Sequence, residues 1–508
     1  MLEKLRDLGS GLLNRAEHPL ANPAQLRKIV AGIPAADAFR AIDEITGWLE
    51  SAAQADFFPA DRLFVALTQL DDAAQPFLRR LTLNYLQTPR LSRNDEKHFR
   101  EAGRGYWTVL AAGYERCLAA VGDKSRAGEV VRDALPALCS RLLLALGNLL
   151  KWRQFNYEPA DGETWQRMGK ALAAAEQGGA AERPVALRAS PAGTTSPRRE
   201  YARWVAFHAA SLDALLPLQV ELAERFIAHF SAGLVLSSVA PHDAVYWSDL
   251  TQDQQPLRMA QMPPRAAAGQ RFFKPGDAYA GIAALLCEME LGRDVPAEIN
   301  LGGQYHARGL VPVLRHLATY LAPVPPQRRY ERHRVKQRVQ VVHGLDDVYT
   351  TVAGHVVSGE IWVVEDISRG GFGALVNRVS GEWLKSDALL AIRPEGGQGW
   401  QVGIVRRCRR LADGTARVGI EALALLPQAV EVRARGATGY SAVAGIPALW
   451  FREGMAAGEV GLVLPANAFD LRTSLETQRE GTRFVLEPVA LVRQGADYDL
   501  ARYRLGGG

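Results

Sequence analysis

Two polar clusters bracket a strand-like stretch between Gln327 and Gly373. The first is basic: Arg328, Arg329, Arg332, Arg334, Lys336 and Arg338 stand against a single acid, Glu331. A guanidinium is planar, always charged and carries a fork of donors, so it pairs bidentately with phosphate and also stacks on flat π systems. The second cluster runs Asp366-Ile367-Ser368-Arg369-Gly370-Gly371. On a strand, Asp366 and Ser368 share one face, with Ile367 expected to face the core between them. A carboxylate accepts from a donor edge such as the N1–H and amino group of guanine, and a hydroxyl serves a base or a phosphate. Gly370 and Gly371 permit positive φ and close backbone approach. Together these residue types suit the binding of a phosphorylated, base-bearing ligand.

Other chemistries find little support. The chain has no GxxxxGK[ST] phosphate loop, no GxSxG elbow and no carboxylate pair in a catalytic frame, so it reads as a binding protein and not an enzyme. Its ten histidines lack metal-ligand spacing, and no metal or cofactor is expected. Cys117, Cys139, Cys287 and Cys408 are far apart and read as reduced thiols, mostly buried. The net charge of +5 over 508 residues is mild, which points to a local anion site and not to a nucleic-acid coat. The aromatic platforms that a single-stranded nucleic acid would need are reduced to Tyr330 and Trp362, and Trp362 reads as barrel packing. No signal-peptide core or membrane-length apolar run is present, which gives the expectation of a cytoplasmic protein without direct membrane insertion. The knot Arg406-Arg407-Cys408-Arg409-Arg410 reads as an exposed hairpin.

The elements that must hold the clusters can be read from periodicity. Residues 1–176 read as a helical domain, with stripes such as Phe39, Ile42, Ile45 and Leu49 and a capping signal at Ser92 before Asp95 and Glu96. Residues 177–197 read as a linker and 198–322 as a second, mainly helical domain, in which one helix is expected to run from Pro197 to Phe230. The segment Pro323-Val324-Pro325-Pro326 ends the helical pattern and forms a stiff lead into the basic cluster. From there to 425 short strands recur, at Val348–Val357, Ile361–Val364, Ala388–Ile392, Gln401–Val405 and Ala416–Ile420, which suggests a small antiparallel barrel. Residues 426–508 continue as a β-rich extension, with no internal repeat of 20–50 residues evident in the sequence. The fold class expected is α+β multidomain.

Arg328 to Arg332 spells RxxxR, and Asp366, Ser368 and Gly371 spell DxSxxG. In that order, after a proline-rich leader and before a closing Val418-Gly419-Ile420-Glu421-Ala422-Leu423 strand, they resemble the PilZ domain family. The resemblance covers about residues 325–425. It implies a six-stranded antiparallel barrel that binds cyclic di-GMP. It also implies that Arg328 and Arg332, with Arg329 beside them, clamp phosphate, while Asp366 and Ser368 contact a guanine and Gly371 allows the fit. Arg334 and Arg338 form a second RxxxR and stand as the alternative clamp. The expected function is a cyclic di-GMP receptor whose helical region answers to a protein partner. A constitutive interaction scaffold is the alternative.

Overall fold

The computed structural model describes residues 18–506 apart from 56, 89–90, 188–192, 264–266, 325, 328–329, 380, 382, 437–444 and 480. Contacts divide the chain into two compact units: residues 1–156, 160–212 and 217–326 form one, and 157–159, 213–216 and 327–508 form the other.

The first unit is mainly helical. Its helices are α1 (Pro23–Gly32), α2 (Ala38–Gln54), α3 (Ala60–Gln87), α4 (Arg93–Ala119), α5 (Arg126–Asp133), α6 (Leu135–Gln154), α7 (Gly162–Gln177), α8 (Pro197–Ala209), α9 (Pro217–Phe230), α10 (Asp277–Glu290) and α11 (Ala307–Tyr320). Side chains close the exposed N–H groups at several helix starts: Ser92 Oγ accepts from Asp95 N at 3.1 Å at the start of α4, as its spacing predicts, and Ser196 does the same for α8. In α2, Ile42, Ile45 and Leu49 are buried while Phe39 is exposed, so the stripe is one turn shorter than the sequence suggests. Helix α6 is buried on all sides and packs against α4, α7 and α8. The single helix expected from Pro197 to Phe230 is in fact two. Ser211 takes a φ of 51°, which ends α8, and Pro217, with no N–H to donate, starts α9. A small antiparallel sheet completes the unit, from β1 (Val235–Ser237), β2 (Tyr246–Asp249), β3 (Leu257–Arg258) and β4 (Gln270–Lys274), in the order β1-β4-β2-β3. Among the described residues no single helix is long and apolar enough to cross a membrane.

The second unit holds two closed, six-stranded antiparallel barrels, so the α+β class read from the sequence is what the chain adopts. The first barrel comprises β5 (His333–His343), β6 (Glu360–Ser368), β7 (Gly371–Val376), β8 (Leu389–Pro394), β9 (Gln401–Arg410) and β10 (Ala416–Ala424), ordered β10-β7-β6-β5-β8-β9. The second comprises β11 (Gln428–Ala434), β12 (Ile446–Phe451), β13 (Glu459–Pro465), β14 (Leu475–Arg479), β15 (Thr482–Gln494) and β16 (Tyr498–Gly506), ordered β11-β12-β13-β16-β15-β14. The strand expected at Val348–Val357 is a helix, α12 (Leu345–Val352). Gly344 at φ 81° breaks β5, Asp346 and Asp347 suit a helix N-terminus, and Leu345, Val348 and Thr351 bury one face at three-residue spacing.

Apolar side chains from both barrels meet in one buried cluster. Val342, Leu389, Ala391, Val402 and Ile404 come from the first, and Leu449, Phe451, Val463, Tyr498 and Leu500 from the second, with Leu345 and Val348 of α12 among them. At its edge Asp387 accepts from Arg493, and Asp497 accepts from Leu345 N at 2.7 Å.

Inside the first barrel Trp362 is 1% exposed, and its indole N–H donates to Glu360 Oε2 at 2.9 Å. The ring lies parallel to Trp383 at 5.9 Å, and Trp383 stacks on His343 at 3.7 Å. Trp362 is thus barrel packing, as expected, and holds β6 from within. Truncating a buried aromatic leaves a cavity and costs about 3–5 kcal/mol. Trp362→Ala is therefore expected to lower the stability of the second unit by that order, measured by chemical unfolding; a loss below about 1 kcal/mol would contradict the packing described.

Candidate functional site

Strands β6 and β7 turn tightly through Arg369 and Gly370, and this corner holds the acid, hydroxyl and glycine of the second cluster. Ser368 pairs opposite Gly371 and Asp366 opposite Gly373. The register slips between Val364 and Asp366, one residue of β6 bulging out. The slip sets Asp366 opposite Gly373 and Ile367 opposite Phe372, and Ile367, expected from the sequence to face the core, is 43% exposed.

Each group at the corner has a physical reason for its place. The Asp366 carboxylate lies over Gly373, where a Cβ would stand 2.7 Å from Oδ2. Ser368 Oγ donates to the Gly371 carbonyl at 3.0 Å, tying the turn. Gly371 has φ 151°, and a Cβ there would collide with the Ile420 carbonyl oxygen of β10. Ala422 N donates to Gly370 O at 3.2 Å, which fastens the turn to the same strand. The Tyr330 ring lies 3.2 Å from where a Cβ on Gly370 would be, so the lead-in to β5 passes across the turn.

Along that lead-in, Arg332 reaches the acid. Its Nη1 donates to Asp366 Oδ1 at 2.9 Å and Oδ2 at 3.2 Å. The two side chains are 42% and 27% exposed, so water and salt screen the pair. Around it the surface is charged on both sides: Arg417 Nε of β10 stands 3.5 Å from Glu365, and Arg334 lies opposite Asp366 in the β5–β6 ladder.

The structure thus brings Arg332, Asp366, Ser368 and Gly371 to one corner. Arg328 and Arg329 lie outside the described residues. Of the alternative clamp, Arg334 is beside the corner, but Arg338 pairs opposite Val363, further along β6, and its guanidinium faces Glu395 at 3.7 Å. Sequence reading left out Arg417 and Gly373; strand pairing brings both to the corner, and only the register of β7 against β6 and β10 reveals it.

The knot at Arg406–Arg410 is the end of β9 in the β9–β10 hairpin, with Arg406, Arg407 and Arg409 exposed, as the sequence suggests. Arg406 is held by Glu421 at 3.1 Å and Asp387 at 3.5 Å. Cys408 is buried, and that burial pushes its thiol up to about 12 despite nearby Arg410. Cys117 and Cys139 are buried too, whereas Cys287 is exposed. Among the described residues no group of three His, Cys, Asp or Glu side chains could hold a metal ion.

Residues 24–242 match a family model, the N-terminal domain of the cyclic-di-GMP receptor FimW. The match lies over helical sequence and the first strand of the small sheet, ahead of the barrels, in a stretch for which the sequence offered no family. Resemblance to a cyclic di-GMP receptor family is shown for that region. No curated protein matches the chain.

Because the turn is wedged against β10, Gly371→Ala must move either the turn or the Ile420 carbonyl. The expected outcome is a lower melting temperature with faster hydrogen exchange at Gly371–Gly373 and Ile420–Ala422. An unchanged melting temperature and exchange pattern would mean that the close approach imposes no constraint.

Proposed function

We propose that this chain is a cyclic di-GMP receptor that binds its ligand at the β6–β7 corner of the first barrel. Arg332, with Arg328 and Arg329 of the same lead-in, takes the phosphates, Asp366 and Ser368 take a guanine edge, and Gly371 lets the backbone come close. The observation that carries this reading is the direct pairing of Arg332 with Asp366, which joins the basic cluster to the acid–hydroxyl–glycine cluster. Support of a separate kind comes from the helical region, whose family model is described as a cyclic-di-GMP receptor's.

The pair also suggests how the ligand is taken. An exposed ion pair contributes about 0–1 kcal/mol, so a phosphodiester, which offers Arg332 the same single charge on a fork of two oxygens, displaces Asp366 at little cost. Once released, the carboxylate turns to the N1–H and amino group of guanine. The corner thus exchanges an internal partner for two external ones, and the lead-in carrying Arg332 becomes fixed to the ligand. We read the protein as a cytoplasmic binding module and not an enzyme, with a helical region that passes the bound state to a protein partner. On this reading neither nucleic acid nor membrane is a partner.

Titration calorimetry of the full chain with cyclic di-GMP tests the assignment. Arg332→Ala and Asp366→Ala are each expected to weaken binding at least ten-fold, about 1.4 kcal/mol, and the affinity of the wild type should fall with added salt. Unaltered affinity in both variants would move the site elsewhere. A scaffold that docks its partner constitutively makes a different prediction: capture of the partner would be indifferent to added cyclic di-GMP, whereas a receptor's capture depends on it.

A further inference from the structure

The two barrels share one connectivity. If the strands of each are numbered one to six along the chain, both closed circuits run one-two-three-six-five-four. The likeness extends to irregularities: the fifth and sixth strands slip register in both, between Gly419 and Ile420 in the first barrel and between Pro488 and Ala490 in the second. A glycine opens the pairing at the second-to-third corner in each, Gly371 opposite Ser368 and Gly461 opposite Phe451.

The correspondence places the counterparts of the proposed site. Ser368 is the last residue of its strand and Asp366 the third from last; in the second barrel those places belong to Phe451 and Leu449. Both are buried, and both lie in the apolar cluster shared with the first barrel. The Phe451 ring lies over Gly461, where a Cβ would collide with it. The lead-in differs in the same sense. In place of arginines the second barrel has Leu425, Leu426 and Pro427. This lead-in still meets its corner, but through Glu453, whose carboxylate accepts from Leu425 N at 3.1 Å, Leu426 N at 3.0 Å and Arg452 N at 3.1 Å. Burial pushes the Glu453 carboxyl up, and these amides outweigh it, so its pKa is lowered and it stays ionised. At the counterpart corner a carboxylate of the turn is thus taken up by backbone amides of the lead-in, whereas the first barrel's lead-in brings a guanidinium to its corner.

We infer that the second barrel is a duplicate of the first in which the ligand face has become the barrel–barrel interface, so that the chain carries one class of nucleotide site and the second barrel serves as its fixed support. Burying Leu449 and Phe451 accounts for the change: each contributes to an interface core only if water is excluded from the face that would otherwise take a polar ligand.

The test has two arms on the full chain, and the binding arm rests on the function proposed above. In hydrogen exchange, Phe451→Ala and the milder Leu449→Ala are expected to speed exchange at least ten-fold in β8 and β9 of the first barrel, around Ala391, Val402 and Ile404, as well as in β12. Acceleration confined to the second barrel would overturn the interface. In calorimetry with cyclic di-GMP, the wild type is expected to show one class of site that Asp366→Ala abolishes, and a second class surviving in Asp366→Ala would overturn the inference. If the wild type takes up no cyclic di-GMP, the proposed function fails, and the exchange arm still decides whether the face is an interface.

Discussion

A single ion pair at a wet barrel rim, Arg332 with Asp366, ties together what is otherwise a sequence of separate parts. It is weak because it is exposed, and its weakness is what makes the corner useful. A buried pair would cost several kcal/mol to break and would hold the lead-in shut. Here the acid keeps the arginine near the turn without committing it, and the charge stays within reach of any anion that arrives. The surrounding structure is rigid by contrast. Trp362 fills the barrel beneath β6, the turn is bonded to β10, and Gly371 is packed so closely against Ile420 that no side chain fits.

On the function proposed, the two sides of the corner divide the labour of recognition. The acid, hydroxyl and glycine stand on strand ends, so little ordering cost falls on them when a ligand binds. Arg332 stands on the segment that enters the barrel. The second barrel extends the rigid side, since β8, β9 and α12 are covered on one face by its apolar residues.

The barrel and the composition of its corner were legible in the sequence because alternation, glycine turns and charged clusters are local signals. What was not legible depended on pairing. The slip in β6 that sets Asp366 opposite Gly373, and the arrival of Arg417 and Gly373 at the corner, are set by neighbouring strands and leave no trace in spacing. The Val348–Val357 stretch is rich in β-branched residues, yet it begins within a helix whose first amide, Leu345 N, is held by Asp497 from the second barrel, a case of tertiary context overriding propensity. The break at Ser211 was hidden because a serine with positive φ has no sequence signature, although Pro217 was a visible warning. The kinship of the two barrels was invisible for a further reason: a polar face that becomes a buried one changes the very residues by which it would be matched.

The shared apolar cluster carries a practical consequence for anyone who would excise the first barrel. A fragment ending near Leu425 would present Val342, Leu389, Val402 and Ile404 to solvent as a raw greasy wall on an otherwise charged particle. Such a fragment would clump in the tube however sound its β6–β7 corner, and a piece bearing that corner keeps this wall covered only if it runs on through β16.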